Sequence, residues 1–301
     1  MLLTLSKLVA RLPLPLLQAL GWIVGWLVWW GSARHRRVLR TNLKQSAIAK
    51  NSSDYNRLIK SSIPAHGVAA LEFLPHWMRP IDELLTLVKE KRGWEHVEAA
   101  LASERPIIFM SPHLGALEMT GVCVAGLIPK KLAPLYRPPK QAYLEPLMIY
   151  SRSRGGAEPA PANASGVRVL LKTLKQGGVA YLLPDQVPGG GEGTWVPFFG
   201  KPAYTMGLLA KMAKASNAIV LPCYTERLGI GRGYRFHVQP FVGEFTGDAE
   251  HDAALMNQNI EDLVRQIPEQ YFWSYSRYKH PAGAPLPPDS TPSDSNAGDA
   301  A

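Results

Sequence analysis

Residues 106–118, with the sequence PIIFMSPHLGALE, decide how this chain folds. The apolar run from Pro106 to Met110 predicts a buried strand, and the apolar pattern that follows Glu118 predicts a helix. His113 and Glu118 therefore fall where a strand passes into a helix. In α/β sheets, ligands bind in the crevice outside the carboxyl ends of the strands. The sequence thus predicts a functional site at this junction.

The spacing of His113 and Glu118 limits how their side chains can meet. Five helical steps of about 100° would place them roughly 140° apart, so they converge only if His113 lies in the loop or in an irregular first turn. Ser111 as N-cap and Pro112 as the first helical residue would start the helix there. A neutral imidazole is a competent general base, and a nearby carboxylate stabilises the imidazolium. We expect His113 to activate a substrate hydroxyl, with Glu118 orienting the ring.

Strand and helix patterns alternate through the middle of the chain, which predicts an α/β fold with a mixed central sheet flanked by helices. This domain is expected at residues 34–280. Residues 281–301 are rich in Pro, Ser, Asp, Gly and Ala, a composition that predicts a disordered tail. After the first strand, the predicted strands are residues 131–136, 179–183, 219–225 and 234–238, and the predicted helices include 81–88, 94–101, 141–153, 166–176, 204–216 and 252–267.

Residues 12–31 carry no charge and include four tryptophans, so residues 1–33 are predicted to form a membrane-anchoring helix. A span needs about 20 apolar residues, but Pro13 and Pro15 delay the helix, and both a span and a position in one leaflet stay open. A core helix is the alternative. No small-residue cleavage site follows, which argues against a signal peptide. The basic residues beyond it suit an anionic, cytoplasmic membrane face: Arg34, Arg36, Arg37, Arg40 and Lys44.

The net charge of +9 suits an acidic partner, such as an anionic membrane or an acidic carrier protein. No sequence signature of a nucleic-acid-binding fold accompanies it, so nucleic acid is not an expected partner. The two cysteines, Cys123 and Cys223, show no metal-ligand spacing and no disulfide framework. The glycine-rich stretches match neither phosphate-binding loop pattern. We therefore expect no metal and no nucleotide.

The first motif resembles the H-x4-D/E box of glycerolipid-type acyltransferases, in the Glu-bearing form of the bacterial lipid A late acyltransferases. Further landmarks of that family occur in order, and the resemblance covers roughly residues 5–280. They are Tyr136-Arg137-Pro138, Arg152-Ser153-Arg154-Gly155, Leu183-Pro184-Asp185-Gln186, Val196-Pro197-Phe198-Phe199-Gly200 with Pro202-Ala203, and a closing segment at residues 268–273.

The resemblance implies a glycerolipid-acyltransferase-like fold and an enzyme at the cytoplasmic face of the bacterial inner membrane. The implied donor is an acyl group on acyl carrier protein, and the implied acceptor is a hydroxyl on a 3-hydroxyacyl chain of a Kdo-bearing lipid A precursor. No cofactor is implied, because the thioester supplies the driving force.

The resemblance also implies roles for residues beyond the first box. His113 and Glu118 would be catalytic, and the substrate-binding candidates would be Arg137, Arg152, Arg154, Asp185 and Gln186. Arginine binds phosphate and carboxylate well because it is permanently charged and bidentate. Arg154 is the first choice for binding an anion or the developing oxyanion, and Asp185 is expected to position Arg154 or His113.

Three alternatives share parts of this interpretation. The acceptor could instead be a lysophospholipid or another lyso-lipid, since pocket shape decides acceptor identity. A hydrolase is disfavoured, because the chain has no G-x-S-x-G motif. A non-catalytic membrane scaffold would use the same basic surface but would not need His113 or Glu118.

Overall fold

A seven-stranded sheet lies at the centre of the computed structural model, which describes residues 2–139, 141–189 and 191–288. Its strands are β1 (Val88–Arg92), β2 (Ile107–Met110), β3 (Leu132–Tyr136), β4 (Ala160–Pro161), β5 (Val179–Leu182), β8 (Ile219–Arg227) and β9 (Tyr234–Val238). The remaining two strands, β6 (Gly193–Phe198) and β7 (Lys201–Met206), form a separate antiparallel hairpin.

The sheet is mixed, as predicted. Its strand order is β1-β9-β8-β2-β5-β3-β4, and every neighbouring pair is parallel except β8 and β9, which are antiparallel. Because β2 and β5 are parallel neighbours, the loops that follow Met110 and Leu182 both leave the sheet at the carboxyl end of its strands. This placement brings the motif at residues 111–118 close to the motif at residues 183–186.

Helices cover both faces of the sheet. In β2, Ile107 and Phe109 belong to one apolar core, and Ile108 and Met110 belong to the other. Successive side chains of a strand point to opposite faces, so a strand buried on both faces reads as a continuous apolar run. The helices are α1 (Leu2–Val9), α2 (Leu14–Gly31), α3 (Ala33–Gln45), α4 (Ser52–Met78), α5 (Ile81–Leu85), α6 (Trp94–Ala102), α7 (Leu117–Leu127), α8 (Glu145–Arg152), α9 (Ala164–Lys175), α10 (Leu208–Ser216) and α11 (Ala249–Gln266).

Helix α2 packs along α4 at very close range. A Cβ added to Gly67 of α4 would lie 2.1 Å from the carbonyl oxygen of Gly21 and 2.3 Å from the nitrogen of Gly25, both in α2. Gln18 of α2 is buried and donates to the Glu72 carboxylate of α4. One face of α2 is therefore part of the folded domain.

The opposite face of α2 is apolar and exposed. By length and hydropathy α2 could cross a membrane, yet one third of its residues are buried within the fold. Large side chains on its open face have exposed fractions of 42–67%: Leu16, Leu20, Trp22, Ile23, Leu27 and Trp30.

Two predicted helices are wrong in part. The helix predicted over residues 81–88 ends at Leu85, and β1 begins at Val88. This strand carries the charged sequence VKEKR at an edge of the sheet, so it shows no apolar pattern. The helix predicted over residues 204–216 begins at Leu208, because residues 201–206 pair with β6 across a turn at Gly200. Long-range strand pairing outweighs local pattern at both places.

The start of the predicted tail contacts the domain. Pro285 accepts a hydrogen bond from the Trp195 indole, with 2.7 Å between the nitrogen and oxygen atoms. Residues 289–301 of the tail lie outside the described residues.

Candidate active site

The segment from Ser111 to Ala116 is a loop held by the backbone of three other elements. Ser111 donates to Leu182 at the end of β5, Gly115 donates to Gln270, and Ala116 donates to Thr225 of β8. Helix α7 begins only at Leu117. The prediction that Ser111 and Pro112 start the helix is therefore wrong, and His113 lies in the loop.

Gly115 makes this loop possible. Its φ is +65°, and a Cβ at this position would lie 2.1 Å from the carbonyl oxygen of Thr225. A residue with a side chain is disfavoured by the left-handed conformation and excluded by the close approach of the neighbouring strand. Thr225 thus supports the segment that carries His113.

Asp185 holds His113 at two atoms. Its Oδ1 lies 2.7 Å from Nδ1 of the imidazole, and its Oδ2 accepts the backbone N–H of His113 at 2.8 Å. Tyr271 donates its hydroxyl to the same carboxylate at 3.3 Å. Asp185 is 2% exposed, so its charge acts on the ring with little screening by water. Nδ1 therefore carries a hydrogen, and Nε2 is the basic nitrogen.

Gln186 contacts that second nitrogen. Its side-chain Nε2 lies 3.0 Å from Nε2 of His113. Phe272 lies beside the imidazole at a centroid distance of 6.4 Å, and its backbone N–H donates to the His113 carbonyl. The ring is fixed on both edges.

The structure corrects the role expected of Glu118. This carboxylate forms a bidentate pair with Arg152, at 2.5 and 2.9 Å, and among the described residues no hydrogen bond joins it to His113. Glu118 lies at the start of α7 and Arg152 at the end of α8, and both side chains are largely buried. The contact that orients the imidazole thus belongs to Asp185, and Glu118 acts on His113 through its charge.

Arg154 lines a small pocket together with Glu118 and Arg152, and backbone carbonyl groups hold its guanidinium. Its guanidinium donates to the backbone carbonyls of His76 and Arg79, which joins the segment after α8 to the end of α4. Arg137 is exposed beyond β3, and its charge lowers the pKa of Tyr275, whose burial raises it overall. The Tyr275 hydroxyl accepts the backbone N–H of Val187, the residue after Gln186.

Two residues beside the site were not among the predicted site residues, although Tyr271 lies in the closing segment of the family resemblance. Tyr271 supports Asp185, and Arg227 donates to the carbonyl of Gly115 at 3.2 Å while it pairs with buried Glu72. Arg227 is the last residue of an apolar strand, and a charged residue at that place in a sequence is usually on the surface. Only the structure shows that Arg227 donates to the loop that carries His113.

Electrostatics make His113 a stronger base. Burial lowers the pKa of the imidazole, but the charge and hydrogen bond of Asp185 outweigh it, and the net pKa lies above the ordinary 6.5. Glu118 adds a smaller effect in the same direction. Burial also raises the pKa of the Glu118 and Asp185 carboxyls, but Arg152 and His113 respectively bring both below their ordinary values. Both carboxylates are therefore ionised near neutral pH.

In the part of the chain that the structure describes, no protein nucleophile hydrogen-bonds to the His113 imidazole. Among the described residues, the hydrogen-bond partners of the two ring nitrogens of His113 are Asp185 and Gln186. Neither partner is a hydroxyl or a thiol. Both cysteines are buried, and burial raises the pKa of Cys123 to about 12, which keeps this thiol protonated. The described residues also contain no cluster of His, Cys, Asp and Glu that could hold a metal ion.

A family model described as bacterial lipid A biosynthesis acyltransferase matches residues 1–280. The chain belongs to this family. It is therefore an acyltransferase of lipid A biosynthesis, and membership implies an acceptor of the lipid A type.

Individual lipid A acyltransferases resemble the chain over most or part of its length. A lipid A biosynthesis acyltransferase of Haemophilus influenzae is 32% identical over 183 residues, which are 60% of this chain and 56% of that protein. The lipid A biosynthesis lauroyltransferase of Escherichia coli is 27% identical over 282 residues, covering 92% of this chain and 90% of that protein. The lipid A biosynthesis palmitoleoyltransferase of Escherichia coli is 27% identical over 271 residues, covering 89% and 87% respectively. The two Escherichia coli enzymes are named for different acyl groups, so similarity alone does not show which acyl group this acyltransferase moves.

Proposed function

We propose that this acyltransferase moves a fatty acyl group from acyl carrier protein to a hydroxyl of a 3-hydroxyacyl chain on a Kdo-bearing lipid A precursor. The observation that carries the proposal is the imidazole of His113, with Nδ1 bonded to Asp185, Nε2 beside the half-buried Gln186 amide, and 21% of the side chain exposed. This is the geometry of a base that deprotonates a substrate hydroxyl. Family membership supports the lipid A-type acceptor.

In the proposed reaction, Nε2 of His113 takes the proton of the acceptor hydroxyl as its oxygen attacks the thioester carbonyl carbon. A carbon–oxygen bond forms, and the carbon–sulfur bond then breaks. The imidazolium returns its proton to the leaving thiolate, which restores the neutral base and releases the carrier thiol. Asp185 stabilises the imidazolium during this cycle without accepting the proton.

We assign the stabilising positive charge at the site to Arg152 rather than to Arg154. Glu118 fixes the guanidinium of Arg152 through two of its nitrogens, which leaves further N–H groups for a carbonyl oxygen or an anionic group. A preorganised cation of this kind stabilises charge that develops in the transition state. Exposed Arg137 is the candidate for an anionic group of the acceptor.

We further propose that the enzyme works at the cytoplasmic face of the bacterial inner membrane, with the open face of α2 in contact with lipid. The neighbouring helix α3 has basic residues and no acidic ones. Its exposed side chains Arg34, Arg37, Arg40 and Lys44 follow helical spacing, which suits an anionic leaflet. Apolar and basic surfaces that adjoin in this way are typical of membrane-surface proteins.

An assay of purified, detergent-solubilised protein tests the reaction and the acceptor together. Acyl carrier protein thioester is offered with either a Kdo-bearing tetraacyl lipid A precursor or lysophosphatidic acid, and mass spectrometry reads the products. We expect added acyl mass on the lipid A precursor and a loss of about 10²–10⁴-fold in rate for His113→Ala.

Other outcomes of this assay would contradict parts of the proposal. Product on lysophosphatidic acid alone would overturn the acceptor, and free fatty acid alone would indicate a hydrolase. An unchanged rate in His113→Ala, in protein shown to be folded by circular dichroism, would remove the base from the mechanism.

A further inference from the structure

The basic nitrogen of His113 is not free in this structure. Because Nδ1 donates its hydrogen to Asp185, Nε2 of the neutral ring has a lone pair, and the amide of Gln186 lies 3.0 Å from it. An amide N–H is a donor, so the contact is a hydrogen bond from Gln186 into the lone pair that must take up the substrate proton. The base is therefore capped when no acceptor is present.

The backbone on either side of Gln186 is held in place. Asp185 is buried and bonded to His113, and the N–H of Val187 donates to the Tyr275 hydroxyl at 2.9 Å. The Gln186 side chain is only half-buried. The Gln186 side chain, rather than the loop backbone, is therefore the part that would have to move to uncover Nε2.

We propose that Gln186 is a specificity-determining residue that caps the base until the acceptor hydroxyl displaces it. The inference rests on the proposed function and adds to it: Gln186 selects the lipid hydroxyl over water as the group that accepts the acyl chain. Acyl transferases face this choice because water attacks a thioester by the same route.

The reaction that the cap suppresses is hydrolysis of the donor. Water would give one proton to Nε2 of His113 as its oxygen attacks the thioester carbonyl carbon. The carbon–sulfur bond would break, the imidazolium would protonate the thiolate, and the products would be a free fatty acid and the carrier thiol. This route consumes the donor without acylating lipid.

Water and the acceptor differ in how well they compete with the cap. A water molecule offers Nε2 only one hydrogen bond in exchange for the one it displaces, and the tethered amide stays close after displacement. The acceptor also binds through its acyl chains and anionic groups, and that binding energy holds its hydroxyl against Nε2. Gln186 thus delays proton removal until the acceptor is bound.

The test measures the ratio of free fatty acid to acylated lipid with acyl carrier protein thioester and the lipid A precursor. Gln186→Ala removes the amide, and Gln186→Asn keeps an amide that is one methylene too short to reach Nε2. Gln258→Ala is the matched control, because it is the same change at an exposed position of α11. We expect the ratio to rise by about threefold to tenfold in both Gln186 variants, as for loss of one net hydrogen bond, and to stay constant in the control.

A further variant shows that the added hydrolysis uses the same base. Gln186→Ala combined with His113→Ala should return hydrolysis to the level of His113→Ala alone. A ratio that is unchanged in both Gln186 variants, or hydrolysis that persists without His113, would overturn the cap. Failure of the wild-type enzyme to transfer any acyl group would instead overturn the proposed function, so the two failures are distinguishable.

Discussion

The side chains of His113 and Glu118 are each held by a partner far away in sequence. Asp185, 72 residues beyond His113, supplies the carboxylate that the local motif assigns to Glu118. Glu118 in turn pairs with Arg152 from another helix. Local spacing predicted His113 as a base at the end of a strand, and the family resemblance implied the substrate arginines; these roles stay predictions. Spacing could not pair Asp185 with His113, because that contact depends on β2 and β5 being neighbours in the sheet.

At the residue scale, the Glu118–Arg152 pair gives a stability prediction. Arg152→Met leaves the Glu118 carboxylate buried without its partner, which costs about 3–5 kcal/mol in a fully buried pair. Arg152 keeps 19% side-chain exposure, so we expect the lower end of that range. Glu118→Gln combined with Arg152→Met should recover part of the loss. Denaturant unfolding in detergent measures this, and a double variant less stable than Arg152→Met would contradict the account.

At the element scale, apolar runs in the sequence predicted the buried central strands but did not predict β1 and β7. Strand β2 is buried on both faces, so its residues form a continuous apolar run, and its observed bounds lie within one residue of the predicted ones. Strand β1 has no apolar pattern because it is a charged edge, and β7 exists only through its pairing with β6. The apolar pattern of α2 identified the helix but could not show that it packs on α4.

Close packing of α2 on α4 predicts a sharp contrast between two glycines. Gly67→Ala places a methyl group against the backbone of α2, and we expect a loss of about 1–3 kcal/mol in the free energy of unfolding. Gly31→Ala, at the end of α2, meets no atom within 4 Å and should change stability little. Chemical denaturation of both variants in the same detergent makes the comparison. Equal stabilities would show that the two helices are not in contact.

At the scale of the whole molecule, charge and apolar surface lie side by side. Net charge in the sequence indicated an acidic partner, whereas the structure shows that α2, with its exposed apolar side chains, is followed directly by the basic helix α3. This arrangement supports a membrane surface as the partner of that region. The sequence alone could not show which face of α2 remains open.

Vesicle binding tests this surface. Arg34→Gln with Arg37→Gln should weaken binding to anionic vesicles by about 10- to 30-fold, since each basic residue near the surface contributes about 1 kcal/mol. The control pair Lys172→Gln with Lys175→Gln makes the same charge change on α9 and should have little effect. Sedimentation with phosphatidylglycerol vesicles measures both. Equal losses in the two pairs would indicate a response to net charge alone.

The most direct test of the central claim, that Asp185 holds His113 as the base, is the pH dependence of the transfer rate. The acidic limb reports the pKa of His113, because only the neutral ring accepts a proton. A carboxylate raises that pKa, so its removal in Asp185→Asn should move the limb to lower pH, and Glu118→Gln should move it less. The position of the limb does not depend on how much protein is active. A limb that moves in Glu118→Gln but stays in place in Asp185→Asn would contradict the account.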